Sequence, residues 1–369
     1  MEPTFREARI TDCEAIGELK RRNGLLTEQW EWLWDGNPAI AAFPAGFPAG
    51  WVIEQGDNVV GYLGNVPMLY HLGGRVLLAA AARGFAVDLA FRSHSLKLAA
   101  AFLSQKNVHL LLNTSANVST SKVFKALRAS KIPQRDYDQA FIWVLHPVGF
   151  LTAFFQKRGL PRGVASVAGW AFAPALYAGI ELGRRRPAAE GGEVKIIKVD
   201  PQHIAGEFDE FWQRTLRARP DCLLAERSAA VLRWRHGHPG AAARQFSIFM
   251  ARRNESMIGY ATFTREDSPD IGLLRCSLVD LIAEDDDEAV IRHLLTAGYE
   301  HARDSGCHVL EIKGFPTRIR NCFSAAGRPY TRTLPSWEFW YKAVAPDLIQ
   351  PLSQTDCWYG SSFDGDAGL

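Results

Sequence analysis

The stretch Ala80–Lys97, AAARGFAVDLAFRSHSLK, decides how the rest of the chain is read. Residues 85–91, FAVDLAF, are almost continuously apolar, which predicts a strand buried on both faces. From Ser95 the pattern changes to LKLAAAFLSQ, with apolar residues at helical spacing. Between the two lies Arg92-Ser93-His94-Ser95, where Ser93 or Ser95 is expected to cap the helix. The first turn of a helix carries unpaired N–H groups and the positive end of its dipole, so it is a natural anion site. Arg92, His94 and Lys97 add positive charge around it. An ordinary capped turn with solvated basic residues is the plainer reading of the same segment.

Upstream, Phe5–Ile10 predicts a short strand, and Thr11 or Asp12 a cap for the helix CEAIGELKRR. Trp30, Trp32 and Trp34 precede the turn Asp35-Gly36-Asn37-Pro38 and are expected in the core. WVIEQ and VVGYLGNVPM, joined by Gly56-Asp57-Asn58, predict a hairpin, and Gly73-Gly74 a second turn into the opening strand. Downstream follow a strand at 108–113, a helix at 119–129 and an aromatic strand at 141–145. The second half repeats this order. LRWRHGHPG at 232–240 answers WLWDGNPA at 32–39, MIGY at 257–260 answers VVGY at 59–62, and Val279-Asp280 answers Val87-Asp88. His308 answers His109 and Phe323 answers Phe124. Matches in the same order at a nearly constant offset indicate a tandem duplication.

The chain has 369 residues, enough for two domains, and a net charge of +2 that argues against a surface built for nucleic acid. None of its six cysteines stands in a C-x-x-C pair, so neither zinc site nor disulfide framework is signalled, and a reduced, cytoplasmic protein is expected. The opening MEPTFREARITD lacks the pattern of a signal peptide. His236 precedes and His238 stands within a GHPG turn without a nearby carboxylate, and a structural turn is expected there rather than a metal site. Residues 163–182, GVASVAGWAFAPALYAGIEL, are long enough to span a bilayer but include Pro174 and Glu181. A helical linker packed across both domains is expected. Peripheral contact with a membrane surface is the alternative.

Taken together, these segments resemble the GNAT acyltransferase superfamily. FREARITD is similar to that family's opening, and VVGY to its central hairpin. VDLAFRSHSLK stands where the family carries V-x-P-x-x-R-x-x-G-x-G/A, with Val87 and Arg92 in place. Asn117, seven residues before Phe124, matches the family's Asn-to-Tyr spacing. The departures are Leu89 for the Pro, Ser95 and Lys97 for the two small loop residues, and Phe124 for the Tyr that often protonates the leaving thiolate. Arg128-Ala129 also replaces a closing Gly-Phe.

The resemblance implies an α/β fold with mixed sheets. Two tandem GNAT-like domains are expected at 1–150 and 193–345, with a helical linker at 151–192 and a tail at 346–369. It is most similar to tandem-GNAT proteins, some of which accompany polysaccharide assembly. It implies transfer of an acetyl or other acyl group from acyl-CoA to an amine or amino-sugar acceptor within a ternary complex. The cofactor would be held by Val87, Leu89, Arg92, Ser93, His94, Ser95, Leu96, Lys97, Asn117 and Phe124. Asp88, on the key strand, and Glu54, on the adjacent hairpin, are the expected proton acceptors, with no metal required. Buried pairing with Arg83 is the structural alternative for Asp88, and Asp280 holds the matching place in the second copy. His94 and Tyr70 are weaker candidates. An aminoacyl transferase of the peptidoglycan-bridge type and a non-catalytic binding protein are the competing functions. In the second copy the anion turn reads Ile282–Glu288, IAEDDDE, whose carboxylates would repel a phosphate. One cofactor site per chain is therefore expected, in the first half.

Overall fold

The computed structural model describes residues 2–25, 31–183, 185–187 and 193–369, so Trp30 lies outside the described residues. The first copy runs β1 (Thr4–Glu7), α1 (Cys13–Arg22), β2 (Gly50–Gln55), β3 (Asn58–Leu72), β4 (Arg75–Val87), α2 (Ser95–Leu103), β5 (Leu110–Ala116), α3 (Val118–Ala126), β6 (Ser130–Lys131) and β7 (Gln139–Val144). A helical pair follows, α4 (Pro147–Lys157) and α5 (Arg162–Leu182). The second copy runs β8 (Lys195–Val199), α6 (Gly206–Ala218), β9 (Leu224–Ala225), α7 (Ala229–Gly237), β10 (Ser247–Arg253), β11 (Ser256–Arg265), β12 (Arg275–Ala283), α8 (Glu288–Asp304), β13 (Val309–Ile312), α9 (Thr317–Gly327), β14 (Tyr330–Thr333) and β15 (Glu338–Ala343). The duplicated order expected from the sequence is present in two mixed sheets, with β9 and α7 added in the second copy. The register makes Ala283-Glu284, not Val279-Asp280, the counterpart of Val87-Asp88, since Gly61 pairs with Val87 and Gly259 with Ala283.

The chain divides into two compact units, and both are discontinuous in sequence. One comprises Met1–Arg135, Arg219–Ala241 and Pro335–Leu369; the other comprises Asp136–Ala218 and Ala242–Leu334. The reason lies in the sheets. The first has the order β1-β2-β3-β4-β5-β15-β6, with β9 paired to β3; the second has the order β14-β7-β13-β12-β11-β10-β8. Each copy's last strand therefore completes the other copy's sheet. Trp340 and Tyr341 of β15 pair with Asn113 and Leu112 of β5, while Phe141 and Trp143 of β7 pair with Ile312 and Leu310 of β13. This corrects the contiguous boundaries at 1–150 and 193–345.

It also corrects the reading of 346–369 as a tail. Trp358, Tyr359 and Phe363 are buried in the first unit. The Phe363 ring lies 3.9 Å from the Arg235 guanidinium and 4.5 Å from that of Arg227. Both arginines are buried, and Arg235 donates to the carbonyls of Phe363 and Gly365. Gln134 and Gly360 exchange two 2.8 Å hydrogen bonds.

In the first unit the core gathers Trp51, Ile53, Leu98, Phe102, Leu111, Phe124 and Trp340 between the sheet and α2 and α3. The long β3–β4 ribbon closes in a two-residue turn in which Gly73 and Gly74 both take positive φ, 60° and 72°. Trp32 is buried, as expected, and so is Trp234, whereas Trp34 is only half-buried. His238 stacks on Trp32 at 5.7 Å, and its Nδ1 accepts from the Gly240 amide, so the GHPG turn is a packing device.

In the second unit α4 and α5 form a hairpin. At Gly169 they approach so closely that a Cβ would stand 2.5 Å from the Thr152 hydroxyl. Only 22% of the apolar stretch of α5 is buried, so the helix packs on α4 along one side and leaves most of its surface exposed.

Candidate active site

The pairing of β4 with β5 defines the site. Only three residue pairs form, Ala79–Leu110, Ala80–Leu111 and Ala81–Leu112. Both strands then continue, β4 to Val87 and β5 to Ala116, without pairing to each other. The sheet is split there, and the edge of β4 that faced β5 is open. A bulge in β4 assists the divergence: Gly64 pairs with Arg83 and Tyr62 with Ala86, so two residues of β4 oppose Leu63. Gly84 sits in that bulge with φ 65°.

A cavity of about 270 Å³ opens at the split. It is lined by Phe85–Val87 of β4, by Arg92 and Ser95, by Asn117, Ser119, Thr120 and Val123 of the α3 start, and by Asn23 and Leu25 beyond α1. Two helix beginnings thus converge on it. After β4 the chain makes a 3-10 turn, Leu89–His94, before α2 starts at Ser95. Neither start has a side-chain cap, which corrects the expected role of Ser93 or Ser95. The Ser95 hydroxyl instead donates to the Arg92 carbonyl at 2.7 Å. Asn117 does cap α3, accepting from the Thr120 amide at 2.9 Å. Arg92 is exposed at the cavity and makes no ion pair among the described residues.

The expected site residues separate into groups. Val87, Arg92, Ser95 and Asn117 line the cavity. Ser93 and His94 lie on the turn between lining residues, and Leu89 and Leu96 expose their side chains beside it. Lys97 turns away, its ammonium 5.0 Å from the Phe5 ring. Phe124 is 1% exposed and packs on Phe102; its neighbour Val123 is the residue that reaches the cavity. Helical geometry explains this, since the next residue along a helix points about 100° away.

Neither expected proton acceptor is unencumbered. Asp88 Oδ2 accepts from Arg22 Nη2 and Oδ1 from Asn23 Nδ2, each at 2.9 Å. It ties the end of α1 to the end of β4, and its partner is Arg22 rather than Arg83. Glu54 is bonded to Arg6, which also holds Asp12, and lies on β2, outside the cavity lining. Tyr70 is buried, and its oxygen accepts from the Gly365 amide.

The sequence reading missed the segment that crosses the split. Arg83 of β4 donates to the carbonyl oxygens of Asp366 at 2.8 Å and Leu369 at 2.7 Å. The Asp366 carboxylate accepts from the amide and hydroxyl of Thr114 and from the Ser115 hydroxyl, both residues of β5. Residues 366–369 therefore bond to both lips. The signal was the aromatic, glycine-containing run at 357–365, CWYGSSFDG, whose composition suits burial more than a solvated tail.

In the second sheet β12 likewise runs on past its partner, to Ala283, but β13 itself stops at Ile312. Pairing of β12 with β13 ends at Leu278–Ile312. Asp280 is buried and accepts from the Tyr260 hydroxyl at 2.6 Å. The start of α8 is occupied by Asp287, which accepts from the Ala289 and Val290 amides and pairs with Arg253. Glu284 pairs with Arg214, and Asp286 with Arg318.

No family model matches this sequence, and no curated protein matches it. Solved structures do. A GCN5-related N-acetyltransferase from Anabaena variabilis is similar over 93% of this chain and 73% of its own, with a TM-score of 0.56 at 12% identity. N-myristoyltransferase from Saccharomyces cerevisiae, solved with myristoyl-CoA, covers 93% of this chain and 79% of its own, with a TM-score of 0.55 at 11% identity. A probable N-acyltransferase from Enterococcus faecalis gives 0.55 at 9%. The fold is that of the GNAT proteins, in two tandem copies.

Proposed function

We propose that the protein transfers an acyl group from acyl-CoA to an amine, in the first unit. The observation that carries this reading is the open split between β4 and β5, with a cation-fringed cavity beside an uncapped helix start. Its counterpart in the second unit is filled by the chain's own carboxylates. The open edge of β4 around Val87 would hydrogen-bond the acyl carbonyl and the pantetheine arm, polarising the thioester. Arg92, Ser95 and the amides of the turn would hold the pyrophosphate. The amine nitrogen would attack the thioester carbon, forming the C–N bond as the C–S bond breaks. The CoA thiolate leaves, and the amine's proton passes to water at the mouth, since Asp88 is committed to Arg22 and Asn23. Solved neighbours that use acyl groups from acetyl to myristoyl leave the chain length to be measured. An amino sugar or another small amine, met in the cytoplasm, is the proposed acceptor.

Calorimetric titration with acetyl-CoA and with myristoyl-CoA tests the reading. One site per chain is expected for at least one of them. Ser95→Glu should abolish it, because a carboxylate there would occupy the helix start and repel the phosphates. Asp286→Asn should leave it intact. Two sites per chain would mean that the second unit also binds; no binding would favour a non-catalytic protein.

A further inference from the structure

The α4–α5 hairpin presents an apolar surface that its own unit does not cover. Val164, Val167, Trp170, Phe172, Tyr177 and Leu182 are each more than half exposed, although α5 carries no charged residue between Arg162 and Glu181. A helix that is apolar all round is ordinarily buried in a core or in lipid. The face of α5 that packs on α4 is instead made of small residues, Ala165, Gly169 and Ala173. The large side chains point outward.

The charges of this stretch of sequence are almost all positive. Residues 147–187 hold six basic residues, Lys157, Arg158, Arg162, Arg184, Arg185 and Arg186, against the single acid Glu181. That acid is neutralised by Arg186. Lys157, Arg158 and Arg162 are exposed at the tip of the hairpin, with Arg158 lying 5.0 Å over the Phe154 ring. Exposed Trp and Tyr, flanking cations and an uncharged apolar face are the chemistry of a lipid interface.

We propose that the α4–α5 hairpin docks on the surface of an anionic lipid bilayer, lying in the interface without crossing it. The topology decides between lying and crossing. The strands on either side of the hairpin, β7 and β8, belong to the same sheet, so the chain must enter and leave the bilayer on one side. If α5 crossed, α4 would have to cross back, and its 11 residues reach only about 16 Å against a hydrocarbon core of about 30 Å. Docking would bury the outer face of α5 among acyl chains and bring the tip cations to the headgroups. This inference stands independently of the acyl-transfer reading.

Co-sedimentation of the full chain with vesicles tests it. Phosphatidylcholine vesicles carrying about 30% phosphatidylglycerol should bind at least about tenfold more protein than phosphatidylcholine alone, and added salt should weaken the binding. The double variant Val167→Glu, Trp170→Glu should lose about tenfold in partitioning while keeping its circular dichroism, because both side chains are exposed. Arg158→Glu with Arg162→Glu should remove the preference for anionic lipid. Absence of binding to either vesicle, or binding that the Val167/Trp170 variant retains, would overturn the proposal. Sedimentation velocity provides the remaining arm: self-association abolished by the same double variant, without vesicle binding, would assign the face to a second copy and also overturn it.

Discussion

Both oxygens of Asp88 are engaged, one by Arg22 and one by Asn23, in a partly exposed setting. Ion pairs of that exposure contribute about 0–1 kcal/mol. Asp88→Asn should therefore lower thermal stability by no more than that, and leave acyl-CoA affinity within about threefold, readable by calorimetry. A collapse of turnover with affinity unchanged would return Asp88 to the role of proton acceptor. Glu266 is the opposite case. Burial pushes its carboxyl up, but Lys313, by charge and by a 2.9 Å hydrogen bond, and Ser277 draw it down to about 2. A carboxyl held below its unfolded value stabilises the fold fully above that value, near 4.5, and the contribution is lost as pH falls toward about 2. Glu266→Gln should flatten the acid limb of the stability profile between those pH values. At neutral pH it should cost about 1–3 kcal/mol, measured by urea unfolding, because Lys313 loses its nearer carboxylate but keeps Glu311 at 3.7 Å.

At the scale of elements, the split sheet depends on the β4 bulge. Gly84 takes φ 65°, and a Cβ there would stand 2.8 Å from Lys20 Cε. Gly84→Ala should destabilise the protein by about 1 kcal/mol or more. It should also weaken acyl-CoA binding by straightening β4 toward β5; unchanged binding in a destabilised variant would separate the bulge from the site. Much of this element was legible beforehand. The hairpin turn at Gly73-Gly74, the helix Cys13–Arg22 and an anion-binding turn with Arg92 and Ser95 were readable from spacing and turn chemistry, whereas Val87 and Asn117 entered only through the family resemblance. The end of β4 was not. A continuous apolar run carries no period, so FAVDLAF read as one strand, whereas the chain leaves the sheet at Asp88 and Leu89–Phe91 enter a 3-10 turn. The exchanged strands were illegible for a similar reason. QAFIWV and EFWYKA are equally apolar and aromatic, and nothing in either composition says which sheet it completes.

For the whole molecule, that exchange makes each half of the sequence an incomplete structure. Residues 1–192 would leave β5 without β15 and β7 without β13, and residues 193–369 would leave the complementary gaps. Each half expressed alone should be insoluble or lack a cooperative unfolding transition, whereas co-expression should yield a soluble pair, checked by circular dichroism and gel filtration. A stable, cooperatively folding 1–192 fragment would contradict this. The exchange also bears on descent. After a gene is doubled, a copy that has lost its ligand can ordinarily be deleted at little cost. Here the copy whose anion site is closed still houses β7 and still donates β15, so losing it would dismantle the copy that remains open. Once the strands had crossed, each copy became part of the other's sheet, and neither could be deleted alone.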